Sequence, residues 1–260
     1  MLFPMPEFFA HPSFWAAGLL SVILCGLSKG GFSGLSMLST PVLSLALPPL
    51  EAAAILLPVL LVQDFFSIWS FRRECDREGL IVLLVGAILG MIVAGVFATT
   101  IPVSGLTFLL GVIATVFGGF WWIRRWFGAK QAPPHRASRP VGVFWGFLCG
   151  LTSFIAHVGS PPAQIYLMPI RLAPAVFAGT MTWLFFAINV IKTGPFIALG
   201  LLSRETLYAS AALVPVAATA VLVGVRLVRV TPVERFYPII HTLLLLAGLK
   251  LCWDGIVALR

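Results

Sequence analysis

Long apolar runs set the first limit on what this chain can fold into. Residues 49–71, 79–98, 104–123, 174–200, 207–225 and 232–253 each meet or approach the roughly 20 apolar residues needed to cross the hydrocarbon layer of a bilayer. Hydrocarbon offers no partner to a bare N–H or C=O, so a spanning segment is either a helix or a strand of a closed barrel. Barrel strands alternate apolar and polar side chains, and these runs do not. The sequence therefore predicts an all-α polytopic membrane protein. Composition agrees, with 60% of the 260 residues hydrophobic and 10% charged, a balance no soluble core requires.

Most of the basic residues lie between the apolar runs, so the net charge of +8 reports topology rather than a nucleic-acid surface. Arg72, Arg73 and Arg77 fill one connection. Arg124, Arg125, Lys130, Arg136 and Arg139 fill the longest, and Arg226 and Arg229 a third. The positive-inside rule places all three in the cytoplasm. Residues 1–13 carry no Lys or Arg and the turn at 99–103 is uncharged, which puts both, the N-terminus included, outside. No basic region precedes an apolar stretch at the extreme N-terminus, so the first helix is expected to act as its own insertion signal. Cys25, Cys75, Cys149 and Cys252 have no CxxC spacing and no histidine cluster, so neither metal nor cofactor is expected and the cysteines read as buried, inert thiols.

The segment 129–140, opening AKQAPPHRASR, interrupts the apolar runs with proline, small residues and base, and reads as a cytoplasmic linker between an N-terminal unit, 1–128, and a C-terminal unit, 141–260. Features recur across it in order. Cys25-Gly26-Leu27 echoes Cys149-Gly150-Leu151, Pro41 echoes Pro169, Asp64 echoes Asn189, Pro102-Val103 echoes Pro232-Val233, and Gly118 echoes Gly248. The near-constant offset points to an internal duplication. The first copy begins outside and the second inside, so the two are expected to be inverted-topology repeats. Each would hold a broken or re-entrant short helix pair and three long transmembrane helices, about 8 to 10 membrane segments in all.

Each copy opens with a break. Residues 14–27 and 35–47 are short for a span, and Ser28-Lys29-Gly30-Gly31-Phe32-Ser33-Gly34 lies between them. The second copy runs from 141 to 155, breaks at Ala156-His157-Val158-Gly159-Ser160-Pro161-Pro162, and resumes over 163–172. Ser160 before Pro161 predicts a helix start with the serine as its cap. Irregular backbone at membrane depth persists only where protein or a watery cavity covers it, so two matched breaks point to a central substrate site.

The break SKGGFSG with its Pro41 segment, the second-half GSPPAQIYLMP, and Asn189 with Lys192 resemble the TauE/SafE (TSUP) family of transporters over nearly the whole chain. The resemblance implies a bacterial cytoplasmic (inner) membrane and a substrate among sulfite, organosulfonates and related small anions, often exported.

A lysine deep in a membrane segment costs about 2.5–3.5 kcal/mol on insertion scales, so it needs a partner or a purpose. Lys29 beside Gly30 and Gly31 reads as part of an anion cradle, or as a side chain reaching the cytoplasmic surface. Lys192, three residues before Pro195, reads as an anion ligand or as the holder of a kink. His157 reads as an anion donor, a proton carrier or a structural histidine. Ser28, Ser33, Gly159, Ser160 and Gln164 gather at the breaks, where helix starts favour an anion, and Asn189 completes the candidate set. Asp64, the one acidic residue well inside an apolar run, reads as a coupling carboxylate or as the fixed counter-charge of a lysine. Glu74, Asp76 and Glu78 read as a solvated connection. Trp121, Trp122 and Trp126 read as an interfacial belt.

These features predict a secondary transporter of a small anion, by alternating access between the repeats, coupled to a proton or other ion, and not an enzyme. A passive anion channel shares every feature except coupling. A membrane-embedded lipid-phosphate hydrolase would need a nucleophile and base that no run supplies. No ATP-binding motif is present.

Overall fold

The computed structural model describes residues 11–30, 35–43, 46–47, 49–96, 103–128, 133–156, 159–198, 200 and 202–259, and among these every regular element is helical. The helices are α1 (Pro12–Lys29), α2 (Ser39–Leu43, preceded by a 3-10 turn, Leu35–Leu38), α3 (Pro49–Phe71), α4 (Arg77–Val96) and α5 (Val103–Trp126), followed by α6 (Arg139–Ala156), α7 (Ser160–Leu167, continued by a 3-10 turn, Met168–Ile170), α8 (Pro174–Ala198), α9 (Arg204–Val230) and α10 (Val233–Leu259). Stretches within α1, α3, α4, α8, α9 and α10 are long and apolar enough to cross a membrane. The window 104–123 lies within α5, one continuous helix of 24 residues. Large apolar side chains such as Phe65, Ile92, Val116, Leu222 and Leu246 are exposed around the bundle, as a lipid-facing surface requires.

The first break differs from its expectation. Residues 14–27 are not a half-helix, because α1 begins at Pro12, where proline's missing N–H costs nothing, and continues through Ser28 and Lys29. At about 1.5 Å per residue its 18 residues measure roughly 27 Å, close to a full span. The short partners do form, as α2 of 5 residues and α7 of 8, and every residue of α7 is buried.

Small residues let the long helices meet backbone to backbone. On α4, a Cβ at Gly86 or Gly90 would strike the backbone of α6 near Val143 and Phe147, and one at Gly150 of α6 would strike Ala87. Gly26 and Gly30 of α1 lie as closely against Ala220 and Gly224 of α9. Between α5 and α10, Gly111 faces Cys252, Gly118 faces Leu245, Gly248 faces Thr115 and Gly255 faces Phe108. Close approach through small residues is the usual basis of helix association in lipid, where apolar area alone gives no advantage. The pairings also fix direction. Numbers rise together along α1 and α9 and along α4 and α6, so these pairs are parallel. They run oppositely along α5 and α10, and along α3 and α8, where Asn189 meets Asp64 while Gly179 meets Phe71.

The connection between α3 and α4 is not merely solvated. Arg136 of the linker pairs with Asp76 at 2.8 Å and Glu78 at 3.5 Å, and Arg229 at the end of α9 pairs with Glu74 at 3.0 Å. The Asp76 carboxylate hydrogen-bonded to Arg136 raises that guanidinium further above its ordinary value. The acidic residues of one connection thus gather the basic residues of two others at one end of the bundle.

Substituting Gly150 by valine is expected to destabilise the protein by about 1–3 kcal/mol or more through overpacking against Ala87, whereas Gly95→Ala, with nothing within 4 Å of the added carbon, leaves stability unchanged. Thermal unfolding of the two variants in detergent, followed by tryptophan fluorescence, checks the contrast.

Candidate functional site

A cavity of about 50 Å³ lies where α1, α3, α6, α7 and α8 converge, and its polar lining comes from Ser28, Lys29, Ser36, Ser153, Ser160, Thr182, Asn189 and Lys192. Lys29 Nζ is 2.6 Å from Asp64 Oδ1, and Asn189 Nδ2 donates to Asp64 Oδ2 at 2.7 Å. Lys192 Nζ donates to the Ser153 carbonyl at 3.2 Å and its Oγ at 3.4 Å. Asp64 has no exposed surface, and Lys192 and Asn189 have 2% and 3%. Lys29 lies 5.2 Å from the centre of the Phe185 ring, close enough for a cation–π attraction. A water needs roughly 10–15 Å³ of such space, so the cavity has room for a small polyatomic ion and little else.

The chain's local chemistry sets each of these groups. Lys29 is the last residue of α1, where the carbonyl end of the helix dipole favours a cation, and Ser67 of α3 donates to its backbone oxygen at 2.9 Å. Ser28 occupies the same last turn, so it does not sit at a helix start as expected; its hydroxyl donates to Ser36 at 3.1 Å. Gly30 also departs from its expected role. Its N–H donates to Gly26 O, and its lack of a side chain admits Gly224 of α9, so it is a packing residue with its amide engaged. At the second break the helix does restart at Ser160, but Gly159 is the cap residue and no side chain caps the turn. Ser160 is instead the first helical residue and lines the cavity. A carbon added at Gly159 would come within 3.0 Å of both Ser153 and Phe185, so this glycine lets two cavity residues close in. Gln164 is fully buried, neither end of its amide is paired among the described residues, and it is not among the residues that line the cavity. Gly31, Ser33 and His157 lie outside the described residues.

The arrangement therefore joins Ser28, Lys29, Ser160, Asn189 and Lys192, with Asp64 directly behind them. Lys29 is paired with the Asp64 carboxylate, while the Lys192 ammonium is held by Ser153, so two lysine side chains and one carboxylate are buried in the same cluster. Among the described residues no group of three or more His, Cys, Asp or Glu side chains converges as a metal site would require, and Cys25 and Cys149 are buried free thiols. A second cavity, of about 520 Å³, is lined by none of the expected site residues.

Sequence reasoning missed Ser153, Ser36, Ser67 and Phe185. The first and third had a signal. Ser153 lies 124 residues after Lys29, and Ser67 lies 125 before Lys192, the offset that also relates Asp64 to Asn189. Their contacts correspond: Ser67 donates to the Lys29 carbonyl, as Lys192 donates to that of Ser153. Each half supplies one lysine and one serine, at exchanged positions.

The family model described as "Sulfite exporter TauE/SafE" matches residues 18–251 of the chain. No curated protein and no solved structure gave a match.

Asp64→Asn, which leaves the Lys29 ammonium buried beside a neutral amide, is expected to destabilise the protein by about 3–5 kcal/mol. Adding Lys29→Met removes the orphaned charge and is expected to recover more than half of that loss. The pair of unfolding measurements tests the ion pair directly: equal stability of wild type and the single variant would show that Lys29 finds other compensation.

Proposed function

The chain belongs to the TauE/SafE family of sulfite exporters, and from that premise we propose that it is a secondary transporter whose site for sulfite or an organosulfonate is the cavity between Lys29 and Lys192. The observation that carries this reading is the pair of buried lysines lining one space the size of a small anion, with the Asp64 carboxylate paired to Lys29 behind it. A pyramidal sulfite, or the tetrahedral head of a sulfonate, would accept from both ammonium groups and from the hydroxyls of Ser28 and Ser160, with Asn189 keeping Asp64 in place. Organosulfonates would place the same anionic head there. The protein acts in the cytoplasmic membrane, with its N-terminus outside and its basic end inside.

The two halves, 1–128 and 141–260 joined by the linker 129–140, are inverted repeats in this reading. The helix pairings support it. Exchanging α1–α5 with α6–α10 turns the parallel pair α1/α9 into the parallel pair α6/α4, and leaves α3/α8 and α5/α10 as antiparallel self-pairs. A two-fold axis in the membrane plane has that effect. The site sits on it, with Asp64 and Asn189 as exchanged partners, so rocking of one half against the other changes which side reaches the anion.

Coupling follows from the ion pair. An arriving anion competes with Asp64 for Lys29, and a buried carboxylate deprived of its cation is costly. A proton taken by Asp64 at that moment removes the cost, so one proton moves with each anion.

The expected behaviour in proteoliposomes is saturable sulfite counterflow that falls at least tenfold in Lys29→Met and in Lys192→Met. A folded double variant that transports like wild type would overturn the site. Asp64→Glu is expected to keep proton-linked flux, while Asp64→Asn in the Lys29→Met background abolishes the response of any residual flux to a pH gradient, read with a lumenal pH dye.

A further inference from the structure

The larger cavity, about 520 Å³, has a lining unlike that of the small one. It lies among the end of α5, the start of α10, the linker and the 3-10 turn after α7. Its wall is aromatic. His241 stacks on Trp121 at 4.3 Å and lies parallel to Phe117 at 6.1 Å, and its Nδ1 bonds the Tyr237 carbonyl at 2.7 Å. Among the described residues its polar lining has three guanidinium groups, Arg124, Arg125 and Arg171, against a single carboxylate, Glu234. Arg125 lies over the Trp121 ring at 5.5 Å. Arg171 is the one non-glycine residue with positive φ among the described residues, at 56°, a backbone conformation that a side-chain-bearing residue adopts only when its surroundings impose it. The turn is pinned from both sides, since the Arg171 N–H donates to Met168 O at 3.1 Å and the Tyr237 hydroxyl to Leu172 O at 2.8 Å.

We propose that this cavity binds an anionic phospholipid, with the phosphodiester on Arg124, Arg125 and Arg171 and the first part of an acyl chain against Phe117, Trp121 and Tyr237. Charge and shape both select that occupant. A small soluble anion would leave the aromatic wall and most of the volume unfilled. A zwitterionic lipid would bring its own cation toward a surface already in positive excess. Guanidinium forks match phosphate oxygens in geometry, and basic pockets between helices at the charged face of a membrane protein are suited to anionic head groups. Placement agrees as well: α5 ends here in Trp121, Trp122, Arg124, Arg125 and the exposed Trp126, the mixture that marks the boundary between hydrocarbon and head groups.

The two cavities share no lining residue. The test uses the full chain purified in a neutral detergent, with lipid binding followed by native mass spectrometry and thermal shift. Dimyristoyl phosphatidylglycerol is expected to bind at least tenfold more tightly than dimyristoyl phosphatidylcholine, and millimolar inorganic phosphate should not displace it. The triple variant R124Q/R125Q/R171Q should lose that preference and still bind sulfite, whereas the matching Arg→Lys triple variant keeps part of it. Equal binding of the two lipids, displacement by free phosphate, or an unchanged preference in the glutamine variant would each overturn the proposal. If that variant does not fold, the ranking of the three probes on the wild-type protein decides it.

Discussion

A charge placed inside a membrane protein has to find its compensation within the fold, and much of this structure is arranged around one such charge. Lys29 ends α1, pairs with Asp64 on α3, and is connected through that carboxylate to Asn189 on α8. Three helices from distant parts of the sequence are held by two contacts, and the geometry tolerates little drift because removing either charge strands the other. The helices must therefore come very close. Gly30 allows this on one side by admitting Gly224, and Gly159 does so on the other by admitting Ser153 and Phe185. The backbone around the pair is committed too, with Ser67 holding the Lys29 carbonyl and Lys192 holding that of Ser153. The polar cluster and the glycine seams are two aspects of one requirement: buried charge needs close partners, and close partners need small residues.

Much of this could be read from the sequence where the physics is local. The window 49–71 is α3 to the residue, because Pro48 and Pro49 stand at its start and Arg72 and Arg73 follow its end. Helix ends were less legible. The apolar window 207–225 grows into α9, Arg204–Val230, since a helix continues past hydrocarbon into the head groups, where arginine is welcome. In the candidate site, Asp64, Asn189 and both lysines stood out because each is costly in an apolar run. Whether Lys29 reached the surface or turned inward was not legible, because that depends on α3 lying beside it. The helix start expected at Ser28 failed for a related reason: α1 outlasts its apolar stretch, so the serine falls at the carbonyl end of a helix rather than at the start of one. Ser153 carries no signal of its own, being one more serine at a helix contact, and only its offset from Lys29 distinguishes it. Likewise Glu74, Asp76 and Glu78 have their partners in Arg229 and Arg136, too far along the chain for any local pattern to show.

The short helix α7 connects the two cavities. Ser160 at its start lines the small one, and Met168, the residue after its end, lines the large one. An element of eight wholly buried residues has little freedom to bend, so a displacement at either end is carried to the other.

The interleaving of the halves also bears on how the chain comes to be built. Helix α1 has its closest neighbour in α9, which ends about two hundred residues later, while α4 meets α6 after a much shorter wait and α5 meets α10 only at the last. At the 5–20 residues per second typical of synthesis, α1 spends on the order of ten to forty seconds in the membrane before its partner has been made. Its glycine seam and Lys29 face lipid or the insertion machinery for that time, and Asp64 on α3 is the earliest group to arrive that can relieve the charge. The ion pair that later shapes the cavity is thus also the first long-range contact the nascent protein can make for its buried lysine.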